Sequence, residues 1–197
     1  MTTPPHGLPA YVPLHEAAED ARPILIPVAT GLGPDDLSLF IGNLAAAEDA
    51  AALQAAGITD SLNTALNLFP GPLALPDGTQ LRRLQLGMVD GPGNDPHLLL
   101  ANVLALHAVL TRHMPGKPHY PKARRGHVLV HCRGGRSRST TVLALYLHLH
   151  RPAQFPALAD ALAHIRQLRG LDDTYPLPPM IALAEAACAL PHPDLAA

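Results

Sequence analysis

Residues 128 to 147 constrain the fold more tightly than any other part of the chain. Val128-Leu129-Val130 is a short β-rich apolar run, His131-Cys132-Arg133-Gly134-Gly135-Arg136-Ser137-Arg138-Ser139 carries a glycine pair, and Thr140 to Leu147 is an apolar helical pattern. This order predicts a strand that feeds a helix through a short loop whose backbone N–H groups point inward. Such a loop is an anion cradle, because a ring of amides and the positive end of the following helix attract negative charge before any side chain is counted. Cys132 opens the loop and Arg138 closes it, with five residues between. A thiol and a guanidinium therefore converge on the bound anion, and the guanidinium can hold two of its oxygens at once. The same field favours the charged form of Cys132, a thiolate nucleophile rather than an inert thiol.

The run HCRGGRSRS resembles the HC-x5-R-S/T signature of the protein tyrosine phosphatase superfamily, and the approach GHVLVHC is most similar to its dual-specificity branch. That resemblance implies that Cys132 attacks phosphorus, that Arg138 binds the phosphoryl oxygens and that the Ser139 hydroxyl stabilises the departing thiolate. It makes His131 a neighbouring residue that supports the low thiolate pKa. The phosphate-binding set it implies is Cys132, Arg133, Gly134, Gly135, Arg136, Ser137 and Arg138. A buried structural cysteine would demand neither the glycines nor an arginine six positions later.

At 197 residues, 48% hydrophobic and with a formal net charge of -2, the chain has material for one globular core. The near-neutral balance gives no reason to expect nucleic acid as a partner. No run of about 18 apolar residues spans a membrane, and the amino terminus lacks the basic start and apolar core of a signal peptide. Cys132 and Cys188 are far apart in sequence, so a disulfide framework is not expected, and a reducing cytoplasm suits a nucleophilic thiol. The twelve histidines are scattered without zinc-finger spacing, so neither a metal nor another cofactor is expected.

Taken in order, residues 1–22 hold Pro4, Pro5, Pro9 and Pro13 and read as an irregular arm. Residues 23–190 form the catalytic domain and 191–197 a tail. Strands are predicted over 23–28 and 37–43, the second resembling the family's early LFIGN strand, and over 58–65 and 81–86. Ala45 to Ala56 predicts a helix with Glu48 and Asp49 near its start and Gly57 as its stop. Further helices are predicted after Asp95, over 139–150, 156–169 and 176–190. The alternation of strand and helix gives an α/β fold, a central mostly parallel sheet of about five strands flanked by helices. The resemblance adds that it is protein tyrosine phosphatase-like.

Departure of an alkoxide or phenoxide needs a proton, which a carboxylic acid can supply. The family places this acid on a loop upstream of the cysteine, and the loop from Met88 to Pro96 offers two. Asp95 precedes Pro96 and an apolar-periodic run, the marks of a helix N-cap. Asp90 has no such structural task and precedes Gly91 and Gly93, which would let the loop close over a substrate. The general acid is assigned to Asp90.

The chain departs from compact members of the family in the separation of 42 positions from Asp90 to Cys132. The excess maps to residues 111–125, a proline-broken basic loop that enters the beginning of the catalytic strand. It is expected on the side of the sheet opposite the cradle.

The combined reading is a cysteine-dependent phosphomonoester hydrolase. Its partners are a phosphorylated protein or another phosphomonoester, and phosphate or sulfate are the expected occupants of the loop. Arg133 and Arg136 raise an alternative, since two extra cations at the rim resemble the phosphoinositide phosphatase branch. A phosphate-binding module without turnover would require a missing catalytic part, and sulfur transfer would not call for Asp90. The height of the walls around the pocket, which separates phosphotyrosine from phosphoserine and phosphothreonine, is not encoded in any motif.

Overall fold

A computed structural model describes residues 13–111 and 117–191. Five strands, β1 (Leu25–Leu32), β2 (Leu37–Gly42), β3 (Ile58–Ala65), β4 (Arg82–Met88) and β5 (His127–His131), form one sheet in the order β1-β2-β5-β3-β4. β1 and β2 are antiparallel; every other neighbouring pair is parallel. β5 is therefore central, and its burial on both faces explains why the sequence there is a continuous apolar run. Val128 and Val130 join the larger core, while Leu129, pointing the other way, joins Leu53, Ile58 and Leu81.

Among the described residues seven helices flank the sheet: α1 (Leu14–Asp20), α2 (Leu44–Ala47), α3 (Ala50–Ala55), α4 (Pro96–Thr111), α5 (Arg138–His150), α6 (Leu158–Arg169) and α7 (Pro178–Cys188). Helices α4 to α7 pack on one face in the larger core, with α2 and α3 on the other. Residues Arg138 to Leu147 of α5 are all buried. Enclosure by the sheet and by its neighbours α4, α6 and α7 leaves this helix no polar face in its first three turns.

The α/β architecture and the mostly parallel five-stranded sheet agree with the expectation, but four segments differ from it. Residues 14–20, expected to be irregular, form α1 between Pro13 and the turn at Ala21. Residues 1–12 and 192–197 lie outside the described residues. The single helix expected over 45–56 is two short ones, because Asp49, rather than favouring a helix dipole from the first turn, accepts from the Ala52 N–H as the N-cap of α3. Asn43 caps α2 in the same way through Ala46 N–H. β1 begins two residues later than expected and continues to Leu32 beside β2. The last helix starts at Pro178, where proline suits the first turn.

The described part of the basic 111–125 insertion lies at the amino-terminal edge of the parallel strands, away from the loop after β5. Arg125 pairs with Asp35 and donates to Leu110 O, while Arg124 pairs with Asp77 at 3.2 Å. Its charges are answered locally. Residues 112–116 lie outside the described residues.

Candidate active site

The loop of residues 132–137 leaves the carboxyl end of β5 and enters α5. Its conformation explains both glycines. Gly135 has φ +68°, and a Cβ there would lie 2.7 Å from Gly42 O. A Cβ on Gly134 would lie 2.5 Å from Arg136 Cζ. The loop's carbonyls are engaged by the protein: Arg133 O accepts from Leu44 N–H, Gly134 O from Arg169 and Ser137 O from Thr141 N–H. The amides of residues 133–137 donate to no protein acceptor among the described residues. That polarity is what an anion cradle requires.

Cys132 is 2% exposed, and its Sγ lies 3.4 Å from Ser139 Oγ. Burial pushes its pKa up and Asp90 adds to that. The Arg138 charge and the hydrogen bonds of Ser139 outweigh both, so the thiol sits below its ordinary range.

Arg138, at the first position of α5, is held by Asn67 Oδ1 at 3.1 Å and Met88 O at 3.2 Å. Both contacts use one terminal nitrogen. Among the described residues Nε has no hydrogen-bond partner and the other terminal nitrogen is 3.7 Å from Asp90 Oδ2, leaving the edge suited to a bidentate oxyanion.

Asp90 follows β4, and its side chain is 37% exposed, so it faces the cleft without being enclosed. Asn94 shapes this turn by accepting from Val89 N–H and donating to Val89 O and Gly91 O. Asp95 lies at the head of α4, where its side chain accepts from His97 N–H at 2.8 Å and its carbonyl from Leu98 and Leu99. It takes the capping position expected of it.

His131 is buried and its Nδ1 is 3.3 Å from Cys132 O. Burial, aided by the Arg83 charge, lowers its pKa to about 4 despite that contact. The ring is neutral near pH 7 and supplies no cation to the thiolate.

Arg133 and Arg136, which could have stood as two extra cations at the rim, pair instead with nearby acids. Arg136 is enclosed: its guanidinium lies 3.0 Å from Glu16, 2.5 Å from Glu19 and 2.7 Å from Asp20, all on α1. Arg133 lies 3.2 Å from Asp20 and 3.9 Å from Glu16. Arg169 joins Glu19 at 2.8 Å to Gly134 O at 3.0 Å. The Tyr175 hydroxyl donates to Glu16 at 2.7 Å, and burial together with this bond pushes its pKa up to about 12.

Sequence reasoning missed Asn67, Asn94 and the acidic face of α1. For the last a signal existed: Glu16, Glu19 and Asp20 fall at helical i, i+3, i+4 spacing in a chain with a strongly basic loop.

Asp90, Arg133, Arg138, Asn67 and Glu16 share one cleft of about 390 Å³, completed by Pro13, Leu66, Met88, Val89, Tyr175 and Leu177.

Residues 45–174 match the family described as "Swiss Army Knife protein, DSP-PTPase phosphatase domain". The crystal structure of human DUSP28 is similar over 84% of this chain and 93% of that one, with 27% identity and a TM-score of 0.60. A mouse putative dual specificity phosphatase complexed with zinc tungstate shares 28% identity over 85% of this chain and 87% of its own, with a TM-score of 0.60. The Yvh1 phosphatase domain from Chaetomium thermophilum, at 22% identity, covers 80% of this chain and 94% of its own with a TM-score of 0.57, and shows the shared fold. No curated protein matches the sequence. The strand, cradle and helix found here thus lie inside a matched family region, and the chain belongs to the dual-specificity phosphatase domains of the protein tyrosine phosphatase superfamily.

Proposed function

We propose that this chain hydrolyses phosphomonoesters by a two-step cysteine mechanism. The observation that carries the reading is a cleft lined by Arg138, with an unused guanidinium edge, and by the part-exposed Asp90, next to a buried thiol whose pKa the Arg138 charge helps to lower. Cys132 thiolate attacks phosphorus and the bond to the leaving oxygen breaks as Asp90 protonates that oxygen. The resulting cysteinyl-phosphate is hydrolysed by water, whose proton Asp90 accepts; the thiolate leaves with a hydrogen bond from Ser139. Arg138 and the amides of residues 133–137 stabilise the equatorial oxygens in both steps. His131 steadies the start of the loop through the Cys132 carbonyl, a positioning role.

The substrate reading is a phosphorylated protein. Support comes from the apolar mouth of the cleft, where Leu66 is 53% and Val89 47% exposed and could contact a peptide beside the phosphorylated residue. The phosphoinositide alternative loses its main support, since Arg136 is enclosed by carboxylates. The thiolate mechanism requires a reducing compartment, and we place the protein in the cytoplasm on that ground. Among the described residues no helix is long and apolar enough to cross a membrane.

The test is turnover of an aryl phosphate by the wild type and by Cys132→Ser. Activity should vanish in the variant, because this loop cannot ionise a serine hydroxyl; equal turnover in both would refute the mechanism.

A further inference from the structure

The acidic helix α1 forms part of the cleft wall. Glu16 is only 7% exposed as a residue, yet it lines the same cleft as Arg133, Arg138 and Asp90. Its carboxylate is fixed from three sides. One oxygen accepts from Tyr175, and the other lies 3.0 Å from Arg136 and 3.9 Å from Arg133. Asp20 holds Arg133 from the remaining direction at 3.2 Å. The cation beside the cradle is therefore already answered by two carboxylates, one of them facing the cleft.

A phosphate in the cradle would meet Arg138 and the loop amides. A second phosphate bonded to it and extending toward the Arg133 side of the cleft would compete with Asp20 and Glu16 for that guanidinium. It would also meet the negative charge of Glu16. Bringing a like charge against a side chain as enclosed as that of Glu16 is unfavourable.

We infer that Glu16 is a specificity-determining residue that rejects a second anionic group beside the bound phosphate and makes this site selective for monophosphorylated ligands. The inference rests on the proposed reading of the loop as a phosphate site. Glu19 supplies an internal control. It is on the same helix and bears the same charge, but its oxygens go to Arg136 and Arg169 and it does not line this cleft.

The test is calorimetric binding of orthophosphate and of pyrophosphate to the full chain at low salt, which needs no turnover. In Glu16→Gln the affinity for pyrophosphate relative to orthophosphate should rise by about tenfold or more, as removal of a like-charge contact implies. In Glu19→Gln, with α1 shown by hydrogen exchange to be still docked, the ratio should stay at the wild-type value. No rise in Glu16→Gln overturns the inference. An equal rise in Glu19→Gln with α1 still docked overturns it too, because the effect would then not depend on the charge of Glu16. Should Glu16→Gln fail to fold, the wild type itself decides: it should bind orthophosphate more tightly than pyrophosphate, and tighter binding of pyrophosphate refutes the inference. Failure of the wild type to bind either anion would remove the phosphate-site reading and this inference with it. Normal orthophosphate binding with an unmoved ratio would remove the inference alone.

Discussion

Replacing Arg136 by alanine should release α1 while leaving the rest of the fold in place. Among the residues of α1, Glu16 alone is buried, and Leu14 is 89% exposed, so apolar burial holds this helix hardly at all. Its attachment is a charge cluster centred on Arg136, whose side chain is 7% exposed. Removing one partner of a buried ion pair typically costs about 3–5 kcal/mol. The figure here belongs at the lower end, because every carboxylate keeps another partner: Arg169 for Glu19, Arg133 for Asp20 and Tyr175 for Glu16. Glu19 is also 31% exposed, and its share is discounted for screening. A loss of about 3 kcal/mol changes the ratio of docked to undocked helix by about two orders of magnitude. Seven residues cannot sustain a helix alone, so undocking is also melting. Hydrogen exchange reads this directly: the amides of residues 17–21 should lose protection in Arg136→Ala, while those of β5 and α5 keep theirs. Unchanged protection of α1 would refute the reasoning. So would a variant with intact α1 and weaker binding of phosphorylated ligands, the behaviour of an arginine that contacts substrate.

Two further predictions concern carboxylates. Asp90→Asn should lower turnover about 10²- to 10⁴-fold for a substrate with a poor leaving group, the ordinary worth of general acid catalysis. Asp95→Asn should change it little, since asparagine caps a helix about as well; steady-state kinetics with an alkyl and an activated aryl phosphate checks both. Lowering the pH should undock α1. Arg169, through its hydrogen bond and charge, and then Arg136 hold Glu19 below its ordinary value of 4.5. A carboxyl depressed in the folded state adds stability above its unfolded pKa and loses it as pH falls through the folded value. Protection of α1 should therefore persist near neutrality and fall below pH 4.5, before the central sheet unfolds.

The parts of the molecule that were legible in the sequence are those whose burial leaves a pattern. Val128-Leu129-Val130 reads as a strand covered on both faces because every position is apolar, and Cys132, Arg138 and Ser139 are placed by that strand and the helix behind it. Asp95 was separable from Asp90 because a cap is a local arrangement, fixed by Pro96 and the helix it starts. Asn67 and Asn94 left no such mark. Asn67 meets Arg138 across 71 positions, through the meeting of two loops that no local propensity encodes. Asn94 folds the Asp90 turn by bonding its backbone, and nothing in an asparagine before an aspartate announces it.

The acidic helix was missed for a different physical reason, and that reason connects its stability to the site. Prolines at 4, 5, 9 and 13 and the lack of an apolar stripe argue against a helix, because helices in small domains usually dock by burying such a stripe. Here the arginines of the catalytic loop stand in for the apolar core. Arg136 has turned inward to meet α1, and Gly134 must be glycine partly because Arg136 Cζ and Asp20 Oδ1 occupy the space of its Cβ. Asn43 closes the arrangement by donating to Asp20 O and Arg22 O while accepting from Ile24 N–H, fixing the path from α1 into β1. The loop's charge is thereby divided between two tasks: Arg138 keeps a free edge for an oxyanion, and Arg133 and Arg136 are used to hold α1. A helix held this way places a carboxylate in the cleft without any apolar anchor, so the charge that attaches α1 is also the charge a ligand meets. Conditions that weaken the attachment, whether acid or loss of Arg136, should then relax ligand selectivity in parallel with α1 protection, because both depend on the position of Glu16.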